Sequence, residues 1–129
     1  MSLRSPLGRV LGLGSARGGS GHWFTQRLTA VALVILGLWF VASLAMLGPG
    51  ASHESVVHWL RSPLAAALAL LLVVVSAWHA QLGLQVVIED YVGDKGLRVV
   101  VLVALKFALV VAALVGVLAV LRLAFGVPA

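Results

Sequence analysis

The sequence predicts an all-α integral membrane protein, a three-helix transmembrane bundle with a basic N-terminal arm, and three observations carry that prediction. Of its 129 residues 62% are hydrophobic and 10% charged, and a mean hydropathy of +1.14 is far above what a water-soluble domain shows. The apolar residues gather into three runs, each of the roughly 20 residues needed to cross a hydrocarbon core about 30 Å thick. Finally, seven of the nine basic residues are arginines, scattered mainly around those runs rather than clustered on one. That pattern accounts for the net charge of +5 and the pI near 11.3 by membrane orientation, so no nucleic-acid partner is expected. With no cysteine in the chain, disulfides, thiolate metal sites and iron–sulfur ligation by its own residues are excluded. Three spans and short connections use up the length, leaving one membrane domain over 28–129.

Residues 1–27 form the arm, polar and glycine-rich, with Arg4, Arg9, Arg17 and Arg27 and no acidic residue. A secretory signal is the rival reading, since a basic stretch precedes an apolar run and Ala42-Ser43-Leu44-Ala45 resembles a small-residue cleavage site. The run from Leu28 to Leu47 is nevertheless too long for a signal core of 7–15 residues and suits a span. Gly12-Leu13-Gly14 and Gly18-Gly19-Ser20-Gly21 lack the preceding strand and the lysine of a phosphate loop, and read as an approach to the membrane. His22 and Trp23 stand where interfacial anchors belong, with Arg27 at the helix start.

Gly48-Pro49-Gly50 ends the first span by turn chemistry. The segment from there to Pro63 reads as a short polar loop holding His53, Glu54, His58, Trp59 and Arg61. Two histidines five apart around a glutamate invite a metal reading, but the spacing is not i, i+4 and no third ligand is near, so a solvated loop is expected. The second run extends from Leu64 to Ile88 and the third from about Leu97 to Leu121, both able to span with some tilt. Between them Glu89 to Arg98 is a charged turn punctuated by Gly93 and Gly96. Orientation follows from the short-loop cations: Arg4, Arg9, Arg17, Arg27, Lys95 and Arg98 share one side, against Arg61 and Arg122 on the other. The N-terminus and the Asp90-Tyr91 end are therefore expected in the cytoplasm and the C-terminus outside. Lys106, about nine residues into the third run, reads as a side chain snorkelling to the cytoplasmic face or paired within the bundle.

His79 is the only histidine at membrane depth. A polar side chain there costs a few kcal/mol or more and marks a functional site or a partner contact. At about 100° per residue Gly83, Val86 and Asp90 fall within roughly 40° of it. A helix continuing to Tyr91 would place that phenol about 18 Å along the axis, at 1.5 Å per residue. The imidazole has three readings: an interhelical hydrogen-bond partner, a proton relay, or a haem axial ligand. Two neighbours favour haem. Gly83 removes bulk where a porphyrin lying against the helix needs room, although glycine also permits close helix packing. Ser76, one turn back, can accept a hydrogen bond from the other ring nitrogen and fix the tautomer. One imidazole supplies one axial position, so a six-coordinate iron requires a second polypeptide or a second copy of this one. Asp90 and Tyr91 read either as an exposed aspartate with an interfacial tyrosine, or as a phenol that donates to a quinone carbonyl beside a carboxylate that orients it.

The run His79-Ala80-Gln81-Leu82-Gly83-Leu84-Gln85-Val86-Val87-Ile88-Glu89-Asp90-Tyr91 resembles the signature of the small hydrophobic (D-type) membrane anchor of succinate dehydrogenase, respiratory complex II of the tricarboxylic acid cycle and electron transport. That signature is a histidine, a glycine four residues later, and Asp-Tyr at eleven and twelve. Gln26-Arg27-Leu28-Thr29-Ala30 is similar to the family's Arg-x-Thr-Ala at the start of its first helix, and the resemblance covers nearly the whole chain. It implies His79 as an axial ligand of haem b, with the opposite ligand from a C-type cytochrome b anchor subunit. Ser76 and Gly83 would flank it, with Arg27 near the haem propionates. It also implies Tyr91 hydrogen-bonding ubiquinone and Asp90 supporting that site, the rest of which belongs to the C-type anchor and the iron-sulfur subunit. The chain would then dock the iron-sulfur subunit, and through it the flavoprotein subunit, to the bacterial inner membrane among its lipid. It would not be catalytic alone. A haem-free structural scaffold with His79 as interhelical glue, and a homodimeric b-type cytochrome using His79 twice, are the alternatives.

Overall fold

In the computed structural model of the chain, which describes residues 19–126, four α-helices follow one another: α1 (Gly19–Leu47), α2 (His53–Leu60), α3 (Pro63–Tyr91) and α4 (Lys95–Phe125). Arg4, Arg9, Arg17 and the Gly12-Leu13-Gly14 stretch of the arm lie outside the described residues. Three of the helices, α1, α3 and α4, are long and apolar enough to cross a membrane, and no strand occurs among the described residues. The chain is therefore a multi-pass membrane protein, as the composition requires.

The ends of the helices follow from capping chemistry. Gly48 and Gly50 take φ of 86° and 104°, left-handed values open to glycine without a steric penalty, and they turn the chain out of α1. Pro63 opens α3 at a position where its missing N–H costs nothing. Its far end is closed by Arg98, whose Nε donates to the Val92 carbonyl at 2.8 Å. Asp94 caps α4 by accepting from the Leu97 N–H at 2.7 Å, and Gly126 in the left-handed region ends it.

Several boundaries differ from the sequence reading: the charged turn expected over Glu89–Arg98 shrinks to 92–94, because α3 continues to Tyr91 and α4 starts at Lys95 and runs on to Phe125. α1 begins at Gly19, so Gly19–Arg27 are helical turns and not a loose approach to the span. The 51–62 loop contains the helix α2, started by Ser52, whose hydroxyl accepts from the Ser55 N–H at 3.2 Å. Glu54 in its first turn complements the helix dipole.

α3 is the central element, packed against both α1 and α4, with the α3–α4 contact the more extensive. Gly116 makes that approach close: a Cβ there would stand 2.8 Å from Val73 Cγ1. The core is thin, made of Leu36, Leu60, Ala65, Ala69 and Leu82, and a single polar side chain, Thr29, is buried among the described residues. α2 lies across the ends of α3 and α4. There Trp59 stacks on Trp39 and Phe40 of α1, with centroids 5.6 and 6.1 Å apart.

Candidate functional site

The site forms where α1 and α3 run antiparallel. Thr29 Oγ1 on α1 lies 2.9 Å from Nδ1 of His79 on α3, and Thr29 is only 5% exposed. The same hydroxyl is 2.9 Å from the Thr25 carbonyl and 3.0 Å from that of Gln26, the back-bonding that threonine makes within a helix. One turn toward the α1 N-terminus, the Gln26 side chain passes Gly83, with Nε2 3.9 Å from where a Cβ would be. Nothing else among the described residues crowds Gly83, so the glycine is not required by the α1–α3 contact itself.

Beside the His79 ring an open pocket of about 430 Å³ is lined by Trp23, Gln26, Arg27, Ala30 and His79. The Arg27 guanidinium carbon sits 5.3 Å from the centre of the Trp23 ring, a cation–π distance, and Arg27 is otherwise exposed. The pocket thus joins one imidazole, one fixed cation and a flat aromatic wall. His22 lies on the same face of α1, and its Nε2 is buried with no hydrogen-bond partner among the described residues.

Of the sequence-predicted residues, the structure brings Arg27 to His79 and leaves Gly83 one turn away on the same helix. Ser76 is a correction: it is exposed on α3, and the inner ring nitrogen of His79 is taken by Thr29 across the helix contact. Asp90 and Tyr91 stand at the end of α3, where Tyr91 is 86% exposed, and neither reaches the pocket. Because α3 is helical throughout to Tyr91, the phenol is about 18 Å along the axis from His79. Glu89, their neighbour, accepts from Gln85 Nε2 at 2.8 Å. His53, Glu54 and His58 lie on α2 at the other end of the bundle, and no group of three or more metal-ligating side chains converges among the described residues. The sequence reading gave Thr29, Gln26 and Trp23 no role at this site. The available signal was the Gln26-Arg27-Leu28-Thr29-Ala30 block, which carries Thr29 beside Arg27.

Comparison with known proteins bears on what this arrangement is for. The family model for the succinate dehydrogenase/fumarate reductase transmembrane subunit matches residues 1–120. The chain is 38% identical over 104 residues to the succinate dehydrogenase hydrophobic membrane anchor subunit of Rickettsia bellii, covering 80% of this chain and 82% of that one. It is 36% identical to the protein of the same description in Rickettsia conorii, over 66% of this chain and 68% of the relative. For Rickettsia felis the identity is 35%, over 75% and 82%.

Proposed function

The chain belongs to the family of succinate dehydrogenase/fumarate reductase transmembrane subunits, a membrane anchor by kind, and on that premise we propose that it holds one face of a haem b through His79 and contributes Tyr91 to a ubiquinone-reduction site. It does so in a bacterial inner membrane, in company with a C-type anchor, an iron-sulfur subunit and a flavoprotein subunit.

The observation that carries this reading is the Thr29–His79 hydrogen bond. A threonine hydroxyl has one hydrogen, and here it lies within bonding distance of two backbone carbonyls of its own helix. With that hydrogen so committed, the oxygen accepts from Nδ1–H of His79. The ring is then the Nδ1–H tautomer, and Nε2 carries a lone pair, which is the form a metal-ligating histidine takes. Arg27 in the same pocket suits a carboxylate such as a propionate, and Gly83 leaves side-chain space beside the ring. Bound there, haem b supplies one-electron chemistry. The protein's own part is to fix the imidazole, neutralise a carboxylate and exclude water from one side. The pocket is open on one side, so a partner anchor would supply its opposite wall and any further ligand.

At the end of α3, the exposed Tyr91 hydroxyl is placed to donate to a quinone carbonyl, and Asp90 beside it can orient the headgroup or accept a proton in transit. The positive-inside count puts that end in the cytoplasm. Soluble partner subunits that pass electrons to quinone would meet it there.

A structural role for His79 as interhelical glue would use the same Thr29 bond but has no use for Nε2. His79→Leu in the assembled complex separates the two: loss of the dithionite-reduced b-type absorption is expected, and an unchanged spectrum rules out ligation. Tyr91→Phe removes only the hydroxyl. Quinone reduction should fall at least tenfold while succinate-to-dye activity is retained, and equal quinone turnover in the two proteins would refute the quinone role.

A further inference from the structure

At the end of the bundle away from His79, α2 overhangs the last turns of α4 and leaves a second, larger cavity of about 1010 Å³. Its lining is divided by chemistry. From the rim come Arg61, at the end of α2, and Arg122, in the last turn of α4, together with His53, Glu54 and His58. The rest of the lining is aliphatic, with Val57, Val115, Leu118 and Leu123. Arg61 lies across the C-terminal end of α4, its Nη2 3.0 Å from the position of a Cβ on Gly126. No hydrogen bond or ion pair engages the side chain of either arginine among the described residues. The rim carries two guanidiniums against one carboxylate, Glu54, a surplus of one positive charge.

The level of this cavity in the membrane is marked by the stacked rings of Trp39, Phe40 and Trp59. Aromatic clusters of that kind sit at the headgroup boundary, and Arg61 follows Trp59 by two residues. From Arg122 down to Val115 is two helical turns, about 10 Å toward the membrane interior. Val115 and Leu118 are 62% and 57% exposed and lie in the apolar span of α4, so an occupant of the cavity meets an aliphatic wall at membrane depth. A free phosphate would satisfy the arginines and leave that wall bare. An irregular peptide reaching the same depth would leave its backbone N–H and C=O groups unpaired.

We propose that this cavity is a binding site for one anionic phospholipid. Arg61 and Arg122 take its phosphodiester as charge-assisted hydrogen-bond donors, and an acyl chain lies along Val115 and Leu118. The single negative charge of the headgroup balances the single positive surplus of the rim, and His53 and His58 are left to hydrogen-bond headgroup hydroxyls.

The test purifies the chain within its native membrane assembly and exchanges it into nanodiscs of phosphatidylcholine doped with phosphatidylglycerol. Lipid retained after release into detergent is then counted by native mass spectrometry. The parent assembly should retain one more phosphatidylglycerol than an Arg61→Gln/Arg122→Gln assembly, with at least tenfold preference over phosphatidylcholine. Ala119→Trp keeps both charges and fills the depth of the cavity, and it should abolish the same retention while partner subunits still co-purify. Equal retention by parent and both variants overturns the proposal, as does equal retention of phosphatidylcholine by the parent. If the arginine variant sheds a partner subunit while the lipid count stays the same, the cavity is a protein contact and the proposal fails.

Discussion

At the scale of single residues the chain turns on a contact that no periodicity along one helix reveals. Ser76 stands one turn from His79 in sequence and is the natural candidate for its hydrogen-bond partner, yet it is exposed and the hydroxyl at Nδ1 is that of Thr29, fifty residues away on α1. The sequence shows which residues share a face of one helix; it does not show what a second helix brings opposite. His79 stood out because an imidazole is unusual at its depth, while Gly83 and Arg27 were singled out by their place beside it and by the family resemblance. Thr29 appeared only as part of the Arg-x-Thr-Ala block, since a threonine in a span is ordinary until its partner is known. Thr29→Val keeps the shape and removes the acceptor. If His79 is the Nδ1–H tautomer proposed above, that N–H then loses its partner at a cost of about 1–3 kcal/mol, and Nε2 would be a weaker donor to the iron of the proposed haem. In the assembled complex this should raise the haem b midpoint potential, by roughly 59 mV for each tenfold loss of preference for the oxidised state in a one-electron couple. Thr29→Ser, which restores the hydroxyl, should return the potential toward its starting value. A potential unmoved by Thr29→Val in optical redox titration would show that the threonine packs the helices without tuning the ligand.

At the scale of elements, two glycines that look alike in sequence do different work. At Gly116 a methyl group would meet Val73 at 2.8 Å, while at Gly83 the nearest atom is 3.9 Å away. Gly116→Ala therefore pushes α4 off α3 and should destabilise the bundle by about 1–3 kcal/mol, the usual cost of overpacking. The check is a lower midpoint in denaturing detergent by circular dichroism. Gly83→Ala should leave that midpoint in place. If the space beside His79 is used by a porphyrin, the same substitution should lower haem content per complex, and unaltered haem content would mean the glycine leaves room for nothing. The three spans were legible from length and hydropathy because burying polar backbone in lipid allows almost no alternative to a helix. α2 was not, because in a short polar segment helix formation depends on a local cap. Ser52→Ala tests that cap, with an expected loss of about 1 kcal/mol confined to the α2 end. It should appear as faster amide exchange over His53–Leu60.

At the scale of the whole molecule, the helices hide little of themselves from their surroundings. Only 6% of the apolar window of α1, 17% of that of α3 and none of that of α4 is buried, so most of the bundle surface is left for lipid and for partner subunits. Which membrane face each end occupies then decides whether the proposed roles are compatible. A quinone reduced at Tyr91 must receive electrons from a soluble partner on that side. The cation count, with Lys95 and Arg98 joining the arm's four arginines, is the basis of the proposed side, and the proposal can be tested on this chain with single cysteines because it has none of its own. Glu54→Cys on α2 and Lys95→Cys at the start of α4 are exposed positions at opposite ends of the bundle. In spheroplasts a membrane-impermeant maleimide should label Glu54→Cys at once and Lys95→Cys only after lysis. The reverse pattern would put Tyr91 on the outer face, away from any cytoplasmic electron donor. In that case the quinone assignment would fall while the His79 site, which lies within the membrane, could stand.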